Sequence, residues 1–332
     1  MSISVIVPVW NGRPLLERLL DTLEAQTLPA AEWLVVDNGS TDGAPDAARA
    51  RGARILPMSR NAGFAEAVNR GIRESRGDWL AVLNTDVELA PDYFARLTAA
   101  AESRSAWFAT GKILVSGSIN RIDGTFDVLS RGGTAWRVGS GRPDGPAFSV
   151  ERQIWSPPFT AVLLRSELFG RIGPLEAAFE SYLEDVEFGL RCASAGLAGL
   201  YVPGARAWHQ GSAALGRWHP ETVRRMARNQ LFLVARHYPR RLFWRWLWPI
   251  VVAQLLWGGL ALRHGAVLSW LRGIAQGLRR SPSVRAARPP VDTEILEGLL
   301  RSNERLIRDL QTSTGFDSYW KLYFLLSGGG AK

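Results

Sequence analysis

Cysteine is almost missing from this chain: among 332 residues only Cys192 carries a thiol. That excludes an intramolecular disulfide framework and suits a reducing compartment. Cys192 stands in a helical pattern among apolar neighbours and reads as a buried structural thiol. The opening Met1-Ser2-Ile3-Ser4-Val5-Ile6-Val7-Pro8 lacks the basic start and cleavage site of a secretory signal and looks like a first strand. A GxGxxG should follow that strand in a nicotinamide dehydrogenase, but Pro8-Val9-Trp10-Asn11-Gly12-Arg13-Pro14 stands there instead. The GxxxxGK[ST] phosphate loop of ATPases is absent too. No helix-turn-helix, zinc-ligand or RNP-type signature is present, so nothing ties the net charge of +9 to nucleic acid. There are no internal repeats. The uncharged run from Leu247 to Leu262 falls short of the roughly 20 residues that span a bilayer.

A hydrophobic content of 46% can fill one large core with appendages. The N-terminal third alternates strand and helix. Ser4–Val9, Trp33–Val36, Arg54–Pro57 and Trp79–Leu83 read as strands. Between them lie a helix with Leu15, Leu16, Leu19, Leu20 and Leu23 on one face, an alanine-rich helix over Ala44–Ala50, and a glycine-containing turn at Asn61–Gly63 running into a third helix. This order predicts an α/β fold with a mostly parallel sheet flanked by helices. From Trp107 to about Arg165 short β-prone runs rich in glycine predict an added β region. Helical periodicity returns near Ser166 and over Tyr182–Ala195, and Gly199–Val202 leads to Trp208-His209. A helix follows over Pro220–His237. Residues 281–290 read as a Pro/Arg/Ser-rich linker, and Thr293–Gln311 as an amphipathic helix.

Trp79-Leu80-Ala81-Val82-Leu83 ends abruptly in Asn84-Thr85-Asp86. A buried parallel strand reads this way, and open α/β sheets bind ligands beyond the carboxyl ends of such strands. Asp86 would stand at a pocket rim and offer a hard oxygen suited to Mg²⁺ or Mn²⁺; the plain alternative is an Asn/Asp turn. Glu184 and Asp185 open a helix, where the macrodipole alone favours carboxylates. Glu187 and Arg191 have the spacing of a local helix pair. His209 follows an apolar strand, a position usually structural.

Pro8-Val9-Trp10-Asn11, Val35 through Asp42, Asn61 through Gly71, Leu83 through Asp86, and Tyr182 through Arg191 occur in that order. Together they resemble the family 2 glycosyltransferases of GT-A fold, and most of all the bacterial rhamnosyltransferase-type branch that builds surface polysaccharides. The resemblance covers residues 1–240. It implies an inverting, metal-dependent enzyme that moves a single sugar from a dTDP- or UDP-sugar to a glycan or polyprenyl-linked acceptor; the branch points to rhamnose from dTDP-rhamnose. It places Pro8, Trp10 and Asn11 around the nucleoside, Asp37 on the base, and Asn61 and Gly63 at the nucleotide. Asn84 and Thr85 also stand on the nucleotide side. Asn84 replaces the first acid of the family's Asp-x-Asp triplet, so Asp86 is the expected metal ligand, with His209 near the metal and diphosphate. Asp185 resembles the general base, with Glu184 orienting acceptor or base. Phe159 and Thr160 match the region lining the acceptor and sugar pocket. Gly173-Pro174-Leu175-Glu176 departs from the family's Gly-Phe-Asp-Glu on the acceptor side. The Gln-x-x-Arg-Trp signature of processive synthases is missing, which favours single-sugar addition.

Beyond residue 240 the composition changes. Residues 241–280 form a basic, tryptophan-rich apolar segment and 281–332 a linker with a C-terminal amphipathic helix. Tryptophans and arginines flanking Leu247–Leu262 resemble interfacial anchors. The expected partner is an anionic membrane surface, with the enzyme cytoplasmic and peripheral on the inner face of the cell membrane. A buried core helix or a homodimer contact is the other reading of the same run. Two rival functions remain in view: a catalytically degenerate protein of the same fold that binds nucleotide-sugar or glycan, motivated by Asn84, and a nucleotidyltransferase on a similar sheet.

Overall fold

The computed structural model describes residues 1–211, 216, 218–287 and 290–328. Its elements run β1 (Ile3–Val9), α1 (Arg13–Glu24), β2 (Glu32–Asp37), α2 (Ala44–Ala50), β3 (Arg54–Pro57), α3 (Phe64–Glu74), β4 (Trp79–Leu83), β5 (Val87–Leu89) and α4 (Tyr93–Ser103). The β region follows as β6 (Phe108–Val115), β7 (Ile122–Gly124), β8 (Asp127–Leu129), β9 (Ala135–Arg137), β10 (Arg152–Ile154) and β11 (Ala161–Arg165). Then come α5 (Glu167–Ile172), α6 (Glu184–Ser194) and β12 (Gly199–His209). The chain closes with α7 (Pro220–His237), α8 (Arg240–Arg245), α9 (Leu247–Arg263), α10 (Val267–Ala286), α11 (Thr293–Thr314) and α12 (Ser318–Leu326). Contacts divide the chain into two compact units, Met1–Phe126 with Gly139–Ala214, and Asp127–Val138 with Leu215–Lys332.

The first unit is organised on a sheet in the order β10-β12-β6-β11-β4-β1-β2-β3, with β5 beside β12 and β7 beside β6. Alternation along β1 places Val5, Val7 and Val9 in one core with Leu16, Leu19, Leu20 and Leu23 of α1, while Ile6 meets Gly71 of α3 on the other face. Each buried leucine is worth about 1.5–3 kcal/mol. β1 pairs parallel with β2 and β4, and β2 with β3, which is the predicted parallel half. β11 runs antiparallel between β4 and β6, so the sheet as a whole is mixed. β12 is parallel to β6. The carboxyl ends of β1, β2, β4 and β12 therefore face the same edge, together with the start of β11. All five residues of β4 are buried.

In the second unit α7 and α10 touch closely because glycine lines the contact. A Cβ on Gly273 would lie 2.3 Å from the Arg224 carbonyl oxygen, and one on Gly277 2.7 Å from Leu231. The β8–β9 hairpin is tied to α11 and α12: Arg131 Nε donates to Glu304 Oε2 (2.8 Å), the Tyr323 hydroxyl donates to Glu304 Oε1 (2.7 Å), and the Gly132 amide donates to Tyr323 Oη (3.0 Å).

The expected linker is corrected over its first half. α10 continues through Pro282 to Ala286, because Val284 is buried and Arg285 Nη1 donates to the carbonyls of Ala235 and Tyr238. These anchors outweigh the local cost of a proline in a helix. Arg288 and Pro289 of that linker lie outside the described residues. Among the described residues no helix is long and apolar enough to cross a membrane.

Candidate active site

The loops after β1 and β2 lie side by side because those strands pair in register, Pro8 opposite Val36 and Val9 opposite Asp37. Asn11 adopts a left-handed backbone (φ 59°). Its Oδ1 accepts from the Thr41 amide at 2.9 Å, and its own amide donates to Ser40 Oγ at 2.9 Å. Asp37 Oδ1 accepts from the Ser40 amide at 2.8 Å, the side-chain turn that Asp favours, and this uses only one of its two oxygens. Trp10 at the strand end is 46% exposed, leaving an aromatic face to solvent beside these loops.

Asn38, which the sequence reading passes over, is buried and locks the turn before α3. Its Nδ2 donates to Asn61 Oδ1 (3.1 Å) and to the Gly63 carbonyl (3.2 Å), and its Oδ1 accepts from the Ala62 amide (2.9 Å). Asn61 Oδ1 also accepts from the Gly63 amide at 3.0 Å. The Asn61 side chain is thus engaged within its own turn. Gly63 has φ 91° and ψ 170°, a conformation essentially reserved for glycine. The group it approaches is the Glu180 carbonyl, 2.9 Å from where a Cβ would sit. That same carbonyl accepts from the Ala65 amide at 2.9 Å.

The segment so held precedes the acidic pair and is strained. Glu180, Tyr182 and Leu183 all have positive φ (61°, 75° and 66°), which for such residues costs of order 1–3 kcal/mol each. Glu184 and Asp185 then begin α6, both buried. Asp185 Oδ1 accepts from the Val186 amide at 2.8 Å. Glu187 and Arg191 pair at 2.8 Å as their spacing predicts. Arg191 also donates to the carbonyls of Ile172, Gly173 and Pro174, fastening the loop after α5 to α6. Phe159 is 2% exposed and meets Phe188 of α6 edge-on, with centroids 5.5 Å apart. Its place is beneath α6 in the packing. The carbonyl of Thr160, just before β11, accepts from the Asn84 amide at 2.9 Å, which joins the start of β11 to the end of β4.

Asn84, Thr85 and Asp86 are each partly exposed between β4 and β5. Because β5 pairs with β12, Val87 opposite His209, the Asp86 carboxylate meets that histidine. His209 Nε2 lies 3.1 Å from Asp86 Oδ1, and Nδ1 lies 2.9 Å from Asp123 Oδ2. Burial pulls the imidazole pKa down, but the hydrogen bonds that the ring donates to Asp123 and Asp86 outweigh it and push it up to about 9. Asp123 is a functional candidate that the sequence reading misses; it stands in the glycine-rich β region with no motif around it.

The donors fit a hard divalent cation. An oxygen and a nitrogen 3.1 Å apart match adjacent corners of an octahedron with bonds of about 2.1 Å. Among the described residues no group of three or more His, Cys, Asp or Glu side chains is arranged to hold an ion by itself.

Solved structures place the architecture. GalNAc-T7 with UDP, GalNAc and Mn²⁺ superposes with a TM-score of 0.60 at 15% identity, covering 87% of this chain and 59% of that one. The mannosyltransferase PcManGT of Pyrobaculum calidifontis, in complex with GDP-Man and Mn²⁺, gives a TM-score of 0.51 at 17% identity over 99% of this chain and 88% of its own. The fold is therefore a GT-A-type mixed sheet with a helical C-terminal region. The family follows from sequence. The Glycosyl transferase family 2 profile matches residues 4–134. The N-acetylglucosaminyl-diphospho-decaprenol L-rhamnosyltransferase of Mycobacterium tuberculosis is 32% identical over 302 residues, 81% of this chain and 94% of the relative. A PGL/p-HBAD biosynthesis glycosyltransferase of Mycobacterium bovis is 30% identical over 58% of this chain and 69% of its own length. The chain belongs to glycosyltransferase family 2 and is rhamnosyltransferase-like.

Proposed function

We propose that this enzyme transfers a single sugar, rhamnose from dTDP-rhamnose, with inversion, onto a polyprenyl-diphosphate-linked or growing cell-surface glycan. The observation that carries the donor and acceptor is the 32% identity running through 94% of a relative named for rhamnosyl transfer to N-acetylglucosaminyl-diphospho-decaprenol. Pro8, Trp10 and Asn11 wall the nucleoside. Asp37 accepts the ring imide N–H of thymine or uracil through the oxygen that the Ser40 turn leaves over. Asn84 and Thr85 face the ribose and phosphate side, and Asn61 and Gly63 shape the nucleotide-side turn. Asp86 and His209 hold Mn²⁺ or Mg²⁺, which when bound supplies charge neutralisation for the departing diphosphate. Asp185 removes the proton from the acceptor hydroxyl, Glu184 orients acceptor or base, and Phe159 and Thr160 support the sugar side. A base opposite the leaving group implies direct displacement.

Transfer from dTDP-rhamnose to a short polyprenyl-diphospho-N-acetylglucosamine, followed by product mass and anomeric NMR, tests this reading. Asp185→Asn should abolish transfer while dTDP affinity stays within about twofold. Wild-type-like turnover by that variant would remove the base assignment, and turnover restricted to another nucleotide would remove the donor.

The second unit is read as the membrane-facing part, on the cytoplasmic side. Among the described residues, all the large apolar side chains that are exposed lie in it except Met1, Trp10, Ile119 and Val150. Trp248, Leu255 and Leu262 recur every seven residues on α9, Leu268, Leu271 and Leu278 line α10, and Leu322, Leu325 and Leu326 line α12. α9 and α12 are joined by Trp248 Nε1 donating to the Leu326 carbonyl at 2.8 Å. Arg263 on α9 and Arg272 and Arg279 on α10 are exposed too, as are Arg241 and Arg245 on the preceding α8. Leucine stripes flanked by tryptophan and arginine suit an anionic lipid surface better than a second copy of an equally basic chain.

A further inference from the structure

β7 is three residues long, and its pairing with β6 is irregular. Ile113 stands opposite Gly124 and Leu114 opposite Ile122. Two neighbouring residues of β6 thus face two residues of β7 that are not neighbours, and Asp123 is the extra residue between them. A bulge of this kind re-aims one side chain out of the alternation of its strand. The re-aimed carboxylate reaches across the end of β6, whose Val115 pairs with His209, and its Oδ2 lies 2.9 Å from His209 Nδ1. The imidazole is 8% exposed and has Asp86 Oδ1 3.1 Å from its other nitrogen.

We propose that Asp123 is a positioning residue for the metal corner. By accepting the Nδ1 proton it fixes the histidine tautomer in which the Nε2 lone pair is the one offered beside Asp86, and it holds the ring plane in that direction. A carboxylate on the far nitrogen of a ligating histidine has this effect generally, and its loss typically weakens metal affinity 10–100-fold. The inference rests on the reading of Asp86 and His209 as cation ligands. Asp123 itself touches neither substrate nor cation.

The test uses the full chain, Mn²⁺ titrations followed by the EPR signal of free ion with dTDP present, and calorimetry of dTDP alone. Asp123→Asn keeps the side-chain shape, but its amide can donate to Nδ1 and so select the opposite tautomer, as an Asp-to-Asn change does beside a catalytic histidine. Asp123→Ala leaves the ring without a partner on that side. Both variants should bind Mn²⁺ about 10–100-fold more weakly, with dTDP affinity in the absence of metal unchanged. With diamagnetic Mg²⁺ and dTDP bound, ¹⁵N shifts of His209 should lose the signature of the Nδ1–H form in Asp123→Asn, which a merely structural role would not cause. Mn²⁺ affinity within about threefold of wild type in a folded Asp123→Asn overturns the positioning role while leaving the metal corner standing. Failure of the unaltered protein to bind Mn²⁺ with dTDP overturns the metal corner, and this inference with it.

Discussion

Replacing Gly63 by alanine isolates one close approach in the fold. The substitution meets two costs. The backbone at φ 91° and ψ 170° lies where a side chain is strained by about 1–3 kcal/mol. The new Cβ would also sit 2.9 Å from the Glu180 oxygen and 3.1 Å from its carbonyl carbon and Cα. Backbone cannot yield as a flexible side chain can, so Glu180 must move and its bond to the Ala65 amide, 2.9 Å long, weakens at a cost of about 1 kcal/mol. The expected destabilisation is about 2–4 kcal/mol, read as a lower urea midpoint with an unchanged slope. Gly52 supplies the control: its φ is +82°, yet a Cβ there would meet nothing within 4 Å, so Gly52→Ala tests backbone strain without contact. Glu180 leads through Tyr182 and Leu183 to Asp185, so sugar transfer by Gly63→Ala should fall more than nucleotide affinity does. If Gly63→Ala loses no more stability than Gly52→Ala, the contact with Glu180 is not what demands glycine and the reasoning is refuted.

Two further outcomes follow from the charge and surface of the molecule. In metal-free protein the His209 pKa is raised from 6.5 to about 9 by its two carboxylate partners. Its contribution to stability is therefore complete below about pH 6.5 and disappears as pH rises through about 9. Melting temperatures in EDTA should fall across that window for the wild type and stay flatter for His209→Gln; parallel curves would show that the imidazole carries no such linkage. On the helical unit, Leu255→Ser, Leu262→Ser and Leu325→Ser together remove three exposed leucines whose insertion into lipid is worth about 1 kcal/mol each. Cosedimentation with phosphatidylglycerol vesicles should weaken roughly 100-fold with an unchanged melting temperature. Undiminished vesicle binding, or a dimer that dissociates only in the triple variant, would assign the face to another partner.

Much of the first unit can be read without any structure because its signals are local. The alanine-rich helix over Ala44–Ala50 and the strand Trp79–Leu83 have the bounds that periodicity and turn residues predict, and in the second unit so does the helix Pro220–His237. The order of strands and helices by itself dictates a parallel half-sheet and hence a common edge for Asp37 and Asp86. Pairings made across long stretches of chain are another matter. Pro282 reads as the start of a linker, but Val284 and Arg285 find anchors that keep α10 helical. Gly63 reads as a turn residue, but that it lies against a carbonyl of the segment before α6 is not legible in the sequence.

The sequence alone therefore determined the fold class, the family and the residues at the carboxyl ends of the strands, since helical and strand periods and ordered motifs are properties of neighbours along the chain. Tertiary structure decided what those residues meet. Asp123 lies 86 positions from His209, and only a bulge in a three-residue strand turns its carboxylate toward the ring. Asn38 gains its three partners because β2 and the turn before α3 come together in space. A hydrogen bond depends on distance and direction, and over such separations neither is written in local composition.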